Sequence, residues 1–228
     1  MLSYSTALRN GPPAVMDTRP LVIVVDDDLS TREGLEALLD SAGMRVRAFG
    51  SATEFLAWTP PAGPACLLLD ISLPDFNGLD IQAQVAGERP EIPIIFITGY
   101  GDIPMTVRAM KAGAAEFLTK PLAEEVLLAA VERAVETSRR AIEEKADLAA
   151  ITRCYASLSP RERQVMALVV SGLLNKQVGW ELGISEITVK AHRGRVMEKM
   201  SAGSFADLVK MSERLEIEMP PPRDSRSN

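Results

Sequence analysis

Cys66-Leu67-Leu68-Leu69-Asp70-Ile71-Ser72-Leu73-Pro74-Asp75-Phe76-Asn77-Gly78 decides the fold. A short apolar run that stops at a carboxylate and a loop containing proline and glycine has the form of a buried parallel strand with its carboxyl-end loop. Three further segments share the pattern. Leu21-Val22-Ile23-Val24-Val25 runs into Asp26-Asp27-Asp28, Ile94-Ile95-Phe96-Ile97 into Thr98-Gly99, and Phe117-Leu118-Thr119 into Lys120-Pro121. In an open parallel sheet, reactive groups collect where the carboxyl ends of strands meet. These ends bring carboxylates, a hydroxyl and an amine to one edge, a set suited to an aspartate that takes up a phosphoryl group.

Working outward, strands at 21–25, 44–48, 66–69, 93–97 and 115–118 alternate with helices near 30–41, 52–57, 78–87, 104–112 and from 122 onward. That alternation predicts an α/β doubly wound, five-stranded parallel sheet with helices on both faces. From Leu122 to Ser157 there is neither glycine nor proline, and Val126, Leu127, Ala130, Val131, Ala134 and Val135 form a stripe expected to pack on the sheet. From Ser138 to Asp147 the composition turns charged, which reads as a solvated helical linker or, alternatively, a seam for a partner helix. Ser159-Pro160-Arg161-Glu162 carries a capping-box pattern. It opens a small all-α unit with helices near 160–171, 175–182, 186–200 and 204–214. The expected organisation is an N-terminal extension (1–19, disordered), an α/β domain (20–137), a helical linker (138–157), a four-helix domain (158–216) and a disordered tail (217–228). Met16 is an alternative start.

The chain has 228 residues, 46% hydrophobic and 25% charged, which is ordinary soluble composition. Cys66 and Cys154 follow no ligand spacing and are expected to be reduced thiols of a cytoplasmic protein. The longest nearly apolar stretch, Val165 to Leu174, is too short to span a bilayer, and 1–18 has no sustained apolar core, so neither a membrane span nor a signal peptide is expected. The net charge of −6 hides an asymmetry: 20–121 holds 7 Lys/Arg against 14 Asp/Glu, whereas 157–214 holds 9 against 6. An acidic half able to hold a divalent cation is joined to a basic half able to approach phosphate.

A carboxylate is a weak nucleophile and needs a neutralised, aligned phosphoryl donor, which Mg²⁺ (or Mn²⁺) supplies by bridging protein and phosphate oxygens. Asp27 and Asp70 are expected as direct ligands, Asp26 as a ligand through water, and the Ser72 carbonyl as the backbone contribution. A phosphoryl group on Asp70 needs partners for its oxygens, and the Lys120 ammonium, the Thr98 hydroxyl and the Gly99 backbone N–H can supply them.

Val25-Asp26-Asp27-Asp28, the Asp70–Gly78 segment, Ile97-Thr98-Gly99 and Lys120-Pro121, in this order, resemble the receiver domain of two-component response regulators. The resemblance implies that Asp70 accepts phosphate from a histidine of a sensor histidine kinase and that the Lys120–Pro121 bond is cis. It implies that Thr98 and Phe117 form the switch pair, with Phe117 reporting through packing alone because it lacks a hydroxyl. Ser72 lies where side chains of that family influence the hydrolytic water, and a small serine predicts a phosphoryl lifetime that is not exceptionally long.

Leu158-Ser159-Pro160-Arg161-Glu162-Arg163, Gly172-Leu173-Leu174-Asn175-Lys176-Gln177-Val178 and Ile184-Ser185-Glu186-Ile187-Thr188-Val189-Lys190-Ala191-His192 resemble the LuxR-type helix-turn-helix. The whole resembles a response regulator of the FixJ subgroup of the NarL family. Val189, Val196 and Met200 are expected on the buried face of the third helix, with Lys190, Arg193 and Arg195 outside it. Lys190 and Ala191 are the candidates for base contact, Thr188 belongs to the same DNA-binding set, and Lys176, Arg193, Arg195 and Lys199 are assigned to phosphates. His192 is expected to be a packed or capping side chain. Gly179, where related sequences carry small helix formers, is expected to cost about 1 kcal/mol of helix propensity, and Gly194 removes a side chain from the DNA-facing helix.

The function so implied is a DNA-binding response regulator, not an enzyme beyond self-directed phosphoryl transfer and autodephosphorylation at Asp70. Its expected partners are a sensor histidine kinase, promoter duplex DNA, a second copy of itself once phosphorylated, and RNA polymerase, with no membrane. The competing readings are DNA binding independent of phosphate and an aspartyl-phosphate hydrolase. The hydrolase needs a second aspartate two residues after the nucleophile, where this chain has Ser72.

Overall fold

The structure, a computed structural model, describes residues 19–74, 76, 78–99 and 103–217. The expectations for 1–18, 218–228, Asp75 and Asn77 lie outside the described residues. The chain divides into two compact units, 1–142 and 143–228.

The strands of the first unit are β1 (Leu21–Val25), β2 (Arg45–Phe49), β3 (Ala65–Asp70), β4 (Ile94–Thr98) and β5 (Glu116–Thr119). They alternate with α1 (Leu29–Ser41), α2 (Ala52–Ala57), α3 (Gly78–Glu88), α4 (Ile103–Lys111) and α5 (Glu124–Ala156). All strand pairs are parallel, in the order β2-β1-β3-β4-β5. Because side chains alternate across a strand, Ile23, Val25, Leu67, Leu69 and Phe96 enter one core with Phe49 and Phe55. Val22, Val24, Leu68, Ile95 and Ile97 enter the other, against Leu127, Ala130, Val131, Ala134 and Val135 of α5. Both faces are therefore covered, which is why β1, β3 and β4 read as unbroken apolar runs. Each fully buried Val, Leu or Ile contributes roughly 1.5–3 kcal/mol.

Two expectations about α5 change. Val126 is exposed rather than packed on the sheet, because five neighbours of the stripe already fill the helix face that meets it. Ser138 is buried, not solvated: the backbone N–H of Ala65 donates to its hydroxyl at 3.1 Å, which anchors the helix beside the start of β3. The charged, exposed stretch begins only at Arg139, and at the far end of the same helix Ile151, Cys154 and Tyr155 pack in the core of the second unit.

The second unit contains α6 (Pro160–Val170), α7 (Asn175–Leu182), α8 (Glu186–Lys199) and α9 (Phe205–Arg214). The capping box forms: Ser159 accepts from the Glu162 N–H, and Glu162 accepts from the Ser159 N–H at 2.8 Å. Val165, Met166, Val169, Val178, Val189, Val196, Met200 and Leu208 make the core. Gly183 stops α7 in a left-handed conformation (φ 63°), which a side chain would disfavour. Ser185 then caps α8 by accepting from the Thr188 N–H at 3.1 Å. No helix among the described residues is long and apolar enough to cross a membrane, and both cysteines are free.

Candidate functional sites

Register explains how the acidic pocket assembles. Val25 lies opposite Leu69, so Asp26, one step beyond β1, comes level with Asp70 at the end of β3. This is where the strand order reverses between β1 and β3, the switch point at which open α/β sheets bind ligands. Thr98 pairs with Thr119 across β4 and β5, and the backbone N–H of Lys120 donates to the Thr98 carbonyl at 2.7 Å. Lys120 thus starts its side chain level with the carboxylates, and its peptide bond to Pro121 is cis.

The Lys120 ammonium donates to Asp26 Oδ2 and Asp70 Oδ2, each at 2.7 Å. The other oxygens of the same carboxylates accept backbone N–H groups, Asp28 on Asp26 Oδ1 at 2.9 Å and Ser72 on Asp70 Oδ1 at 2.8 Å. Arg32 of α1 fixes the strand end by donating to the Asp26 carbonyl oxygen at 2.6 Å. The third aspartate of the triplet, Asp28, caps α1 by accepting from the Thr31 N–H at 2.7 Å and so does local structural work. Asp26 and Asp70 are buried, Asp27 is exposed at the mouth, and one carboxylate oxygen of each lies within 4.8 Å of the others. Thr98 is buried at the end of β4 and Gly99 is exposed beside it.

Electrostatics follow from this crowding. Burial pushes the Asp26 carboxyl above its ordinary range, the Asp70 charge adds to the rise, and hydrogen bonds from Lys120 and the Asp28 N–H oppose it without cancelling it. For Lys120, burial acts to lower the pKa, but its two carboxylate partners outweigh that and raise it. A donor set made only of oxygen, with more negative than positive charge, suits a hard divalent cation. The residues therefore form an acidic pocket consistent with divalent metal binding.

Phe117, on β5, stands beside the pocket's edge rather than in it. Its ring packs on Phe96 with centroids 6.4 Å apart, and a cavity of about 260 Å³ lined by Phe117, Leu122 and Val126 lies next to it.

In the second unit α7, the Gly183-Ile184-Ser185 turn and α8 form a helix-turn-helix. Lys176, Lys190, Ala191 and Arg195 are exposed. Lys190 reaches back to Glu186 at 3.3 Å on the helix surface. Three members of the expected set are engaged within the unit. The Thr188 hydroxyl shares a 2.8 Å hydrogen bond with the capping Ser185 hydroxyl. Arg193 donates to Asn175 Oδ1 at 2.7 Å while its guanidinium sits over the Phe205 ring at 5.4 Å, tying α8 to α7 and α9. Lys199 donates to Glu162 Oε2 at 2.7 Å. That hydrogen bond, followed by the one from the Ser159 N–H, pulls the Glu162 carboxyl down to about 2.

Gly179 corrects a sequence expectation. A Cβ there would lie 2.7 Å from the Ile184 carbonyl oxygen, and the Ile184 N–H donates to the Gly179 carbonyl at 2.9 Å. The glycine lets α7 approach the turn, so the propensity it costs is offset by packing a side chain would prevent. At Gly194 a Cβ would meet nothing within 4 Å.

The two sites define a class: an acidic-pocket receiver joined to a helix-turn-helix. Residues 22–132 match the family described as response regulator receiver domain, and 156–212 match bacterial regulatory proteins, luxR family. The chain belongs to the two-component response regulators of the NarL/LuxR family, with a receiver followed by a LuxR-type DNA-binding domain. It is 53% identical over 200 residues to nodulation protein W of Bradyrhizobium diazoefficiens, covering 88% of each chain. It is 39% identical over 199 residues to the transcriptional regulatory protein FixJ of the same organism, covering 87% of this chain and 97% of that one. Among solved structures, the response regulator StyR superposes with a TM-score of 0.76 at 46% identity, covering 86% of this chain and 99% of that one.

Proposed function

We propose that this chain is a phosphorylation-controlled transcription regulator whose phosphoacceptor is Asp70. The observation that carries the reading is Lys120, held between Asp26 and Asp70 at the end of the central strand. An oxygen of Asp70 attacks the phosphorus of a phosphohistidine on a sensor kinase. A P–O bond forms, the P–N bond breaks, and the imidazole leaves with its electron pair and takes a proton. Asp26, Asp27, Asp70 and the Ser72 carbonyl would hold Mg²⁺, which when bound neutralises charge shared between carboxylate and phosphoryl oxygens. Lys120 pairs with one phosphoryl oxygen, and Thr98 with the Gly99 N–H takes another.

Once Thr98 turns toward the phosphoryl group, Phe117 follows into the cavity beside it, shifting a pre-existing equilibrium of the receiver. Ile103, Val107 and Met110 of α4 are exposed at helical spacing and supply an apolar face for a second copy. The receiver comprises 20–137, the linker helix 138–157 and the DNA-binding domain 158–216, and the protein acts in the cytoplasm. Lys190 and Ala191 face base edges, while Lys176 and Arg195 meet phosphates. Thr188, Arg193 and Lys199 act through the contacts within the unit that fix α8, and RNA polymerase is the partner of the bound dimer.

The test is transfer of radiolabelled phosphate from a small phosphoryl donor with Mg²⁺. Wild type is expected to take up label in an alkali-labile form, and Asp70→Asn to take up none. Equal labelling of the variant would overturn the assignment.

A further inference from the structure

On α8 the buried row is Val189 and Val196. The opposite side carries an apolar residue that the core does not use: Ile187, 80% exposed, the most exposed of the large hydrophobic side chains in the described structure. It is the second residue of the helix, in the turn just after the Ser185 cap, and Ala191 lies one turn further on and is also exposed. Ile187 and Ala191 thus make a short apolar row. Beside it run the charged side chains of Glu186 and Lys190, 3.3 Å apart.

We infer that Ile187 is a specificity-determining residue that reads a thymine C5-methyl group in the major groove, in a row with Ala191. The inference rests on the DNA-binding reading of this unit and extends it to a residue and a base. A recognition helix places its first turns against base edges. The only apolar group that a base pair presents in the major groove is the thymine methyl. An isoleucine side chain at this position offers apolar surface, cannot donate or accept a hydrogen bond, and is stiff at χ1. Lys176, Lys190 and Arg195 are exposed in the same unit, and 157–214 carries 9 Lys/Arg against 6 Asp/Glu. That charge selects a polyanion as the occupant of this face over an apolar protein surface.

The test uses the full chain treated with acetyl phosphate and Mg²⁺, and duplexes selected by it from a pool with a randomised core. Each thymine of the selected site is then replaced by deoxyuridine, which removes only the methyl group. Wild type is expected to lose about fourfold in affinity at one position of each half-site, the effect of one methyl-sized group leaving an apolar contact. Ile187→Ala is expected to bind thymine and uracil duplexes equally at that position, with an unchanged salt dependence, and Ile187→Val to keep most of the discrimination. Selective binding by wild type with no uracil sensitivity anywhere would overturn the inference and leave the DNA-binding reading intact. Unchanged discrimination by Ile187→Ala would assign the methyl to Ala191 alone and overturn it as well. Absence of any duplex selectivity in wild type would remove the DNA-binding reading and this inference together.

Discussion

Lys120 and Lys199 each hold a carboxylate at 2.7 Å, yet they sit in clusters that titrate in opposite directions. Around Lys120 the Asp26 carboxyl is pushed up, and around Lys199 the Glu162 carboxyl is pulled down to about 2. The difference is stoichiometry. In the receiver one ammonium serves two buried carboxylates, with Asp27 adding a third at the mouth. In the helix-turn-helix unit one ammonium and the Ser159 N–H serve a single carboxylate. The first cluster is left with excess negative charge, an arrangement consistent with divalent metal binding. The second is complete within the unit and holds the start of α6 against the end of α8.

The largest test of that contrast is cation affinity. Asp27→Ala, which removes a donor at the pocket mouth, is expected to weaken Mg²⁺ binding by about 100-fold, since even groups that only orient metal ligands cost 10–100-fold. Titration followed by intrinsic fluorescence or calorimetry reads the change, and an unchanged affinity would break the charge argument. The counterpart is Lys199→Met. Leaving Glu162 buried without its cation is expected to destabilise the second unit by roughly 2 kcal/mol, seen as a lower denaturant midpoint for that unit while the receiver transition stays put.

Gly179→Ala is next, at about 1–2 kcal/mol of destabilisation, the usual cost of forcing extra volume into a packed site. Propensity alone predicts the opposite sign. The outcome therefore separates local preference from the close approach of the Ile184 carbonyl. Asp26→Asn, in Mg²⁺-free buffer, is expected to stabilise the receiver by about 1 kcal/mol by relieving crowded charge at a site shaped for binding. Melting curves with and without Mg²⁺ read it, and a destabilised variant would contradict the excess-charge account.

The last effect appears only in acid. Because folding depresses the Glu162 pKa from 4.5 to about 2, its contribution is complete above pH 4.5 and is lost as pH falls toward 2. Glu162→Gln should flatten that part of the pH–stability curve for the second unit.

Most of the receiver pocket was legible in the sequence because the sheet is parallel and its strands are short. An apolar run announces β1, β3 and β4, the carboxyl edge falls at the end of each run, and strand register does the rest for Asp26, Asp70, Thr98 and Lys120. The capping box at Ser159 and the buried row of α8 were legible for the same local reason. What stayed hidden depends on partners far along the chain. Lys199 meets Glu162 across 37 positions and Arg193 meets Asn175 across 18. A basic residue on a helix carries no local sign of whether it faces phosphate or a neighbouring helix. Ser138 is hidden from the sequence because its charged neighbours set the local composition, while its own hydroxyl accepts from a backbone N–H 73 residues earlier.

The central claim is that the cluster around Asp70 controls the basic unit, and DNA binding tests it most directly. The full chain would be titrated onto a selected duplex in three states: untreated, treated with a phosphoryl donor and Mg²⁺, and treated as Asp70→Asn, with sedimentation recording the oligomer. The account predicts tighter binding and a dimer only in the treated wild type. Equal affinity in all three states would contradict it and leave a DNA-binding protein that does not answer to its receiver.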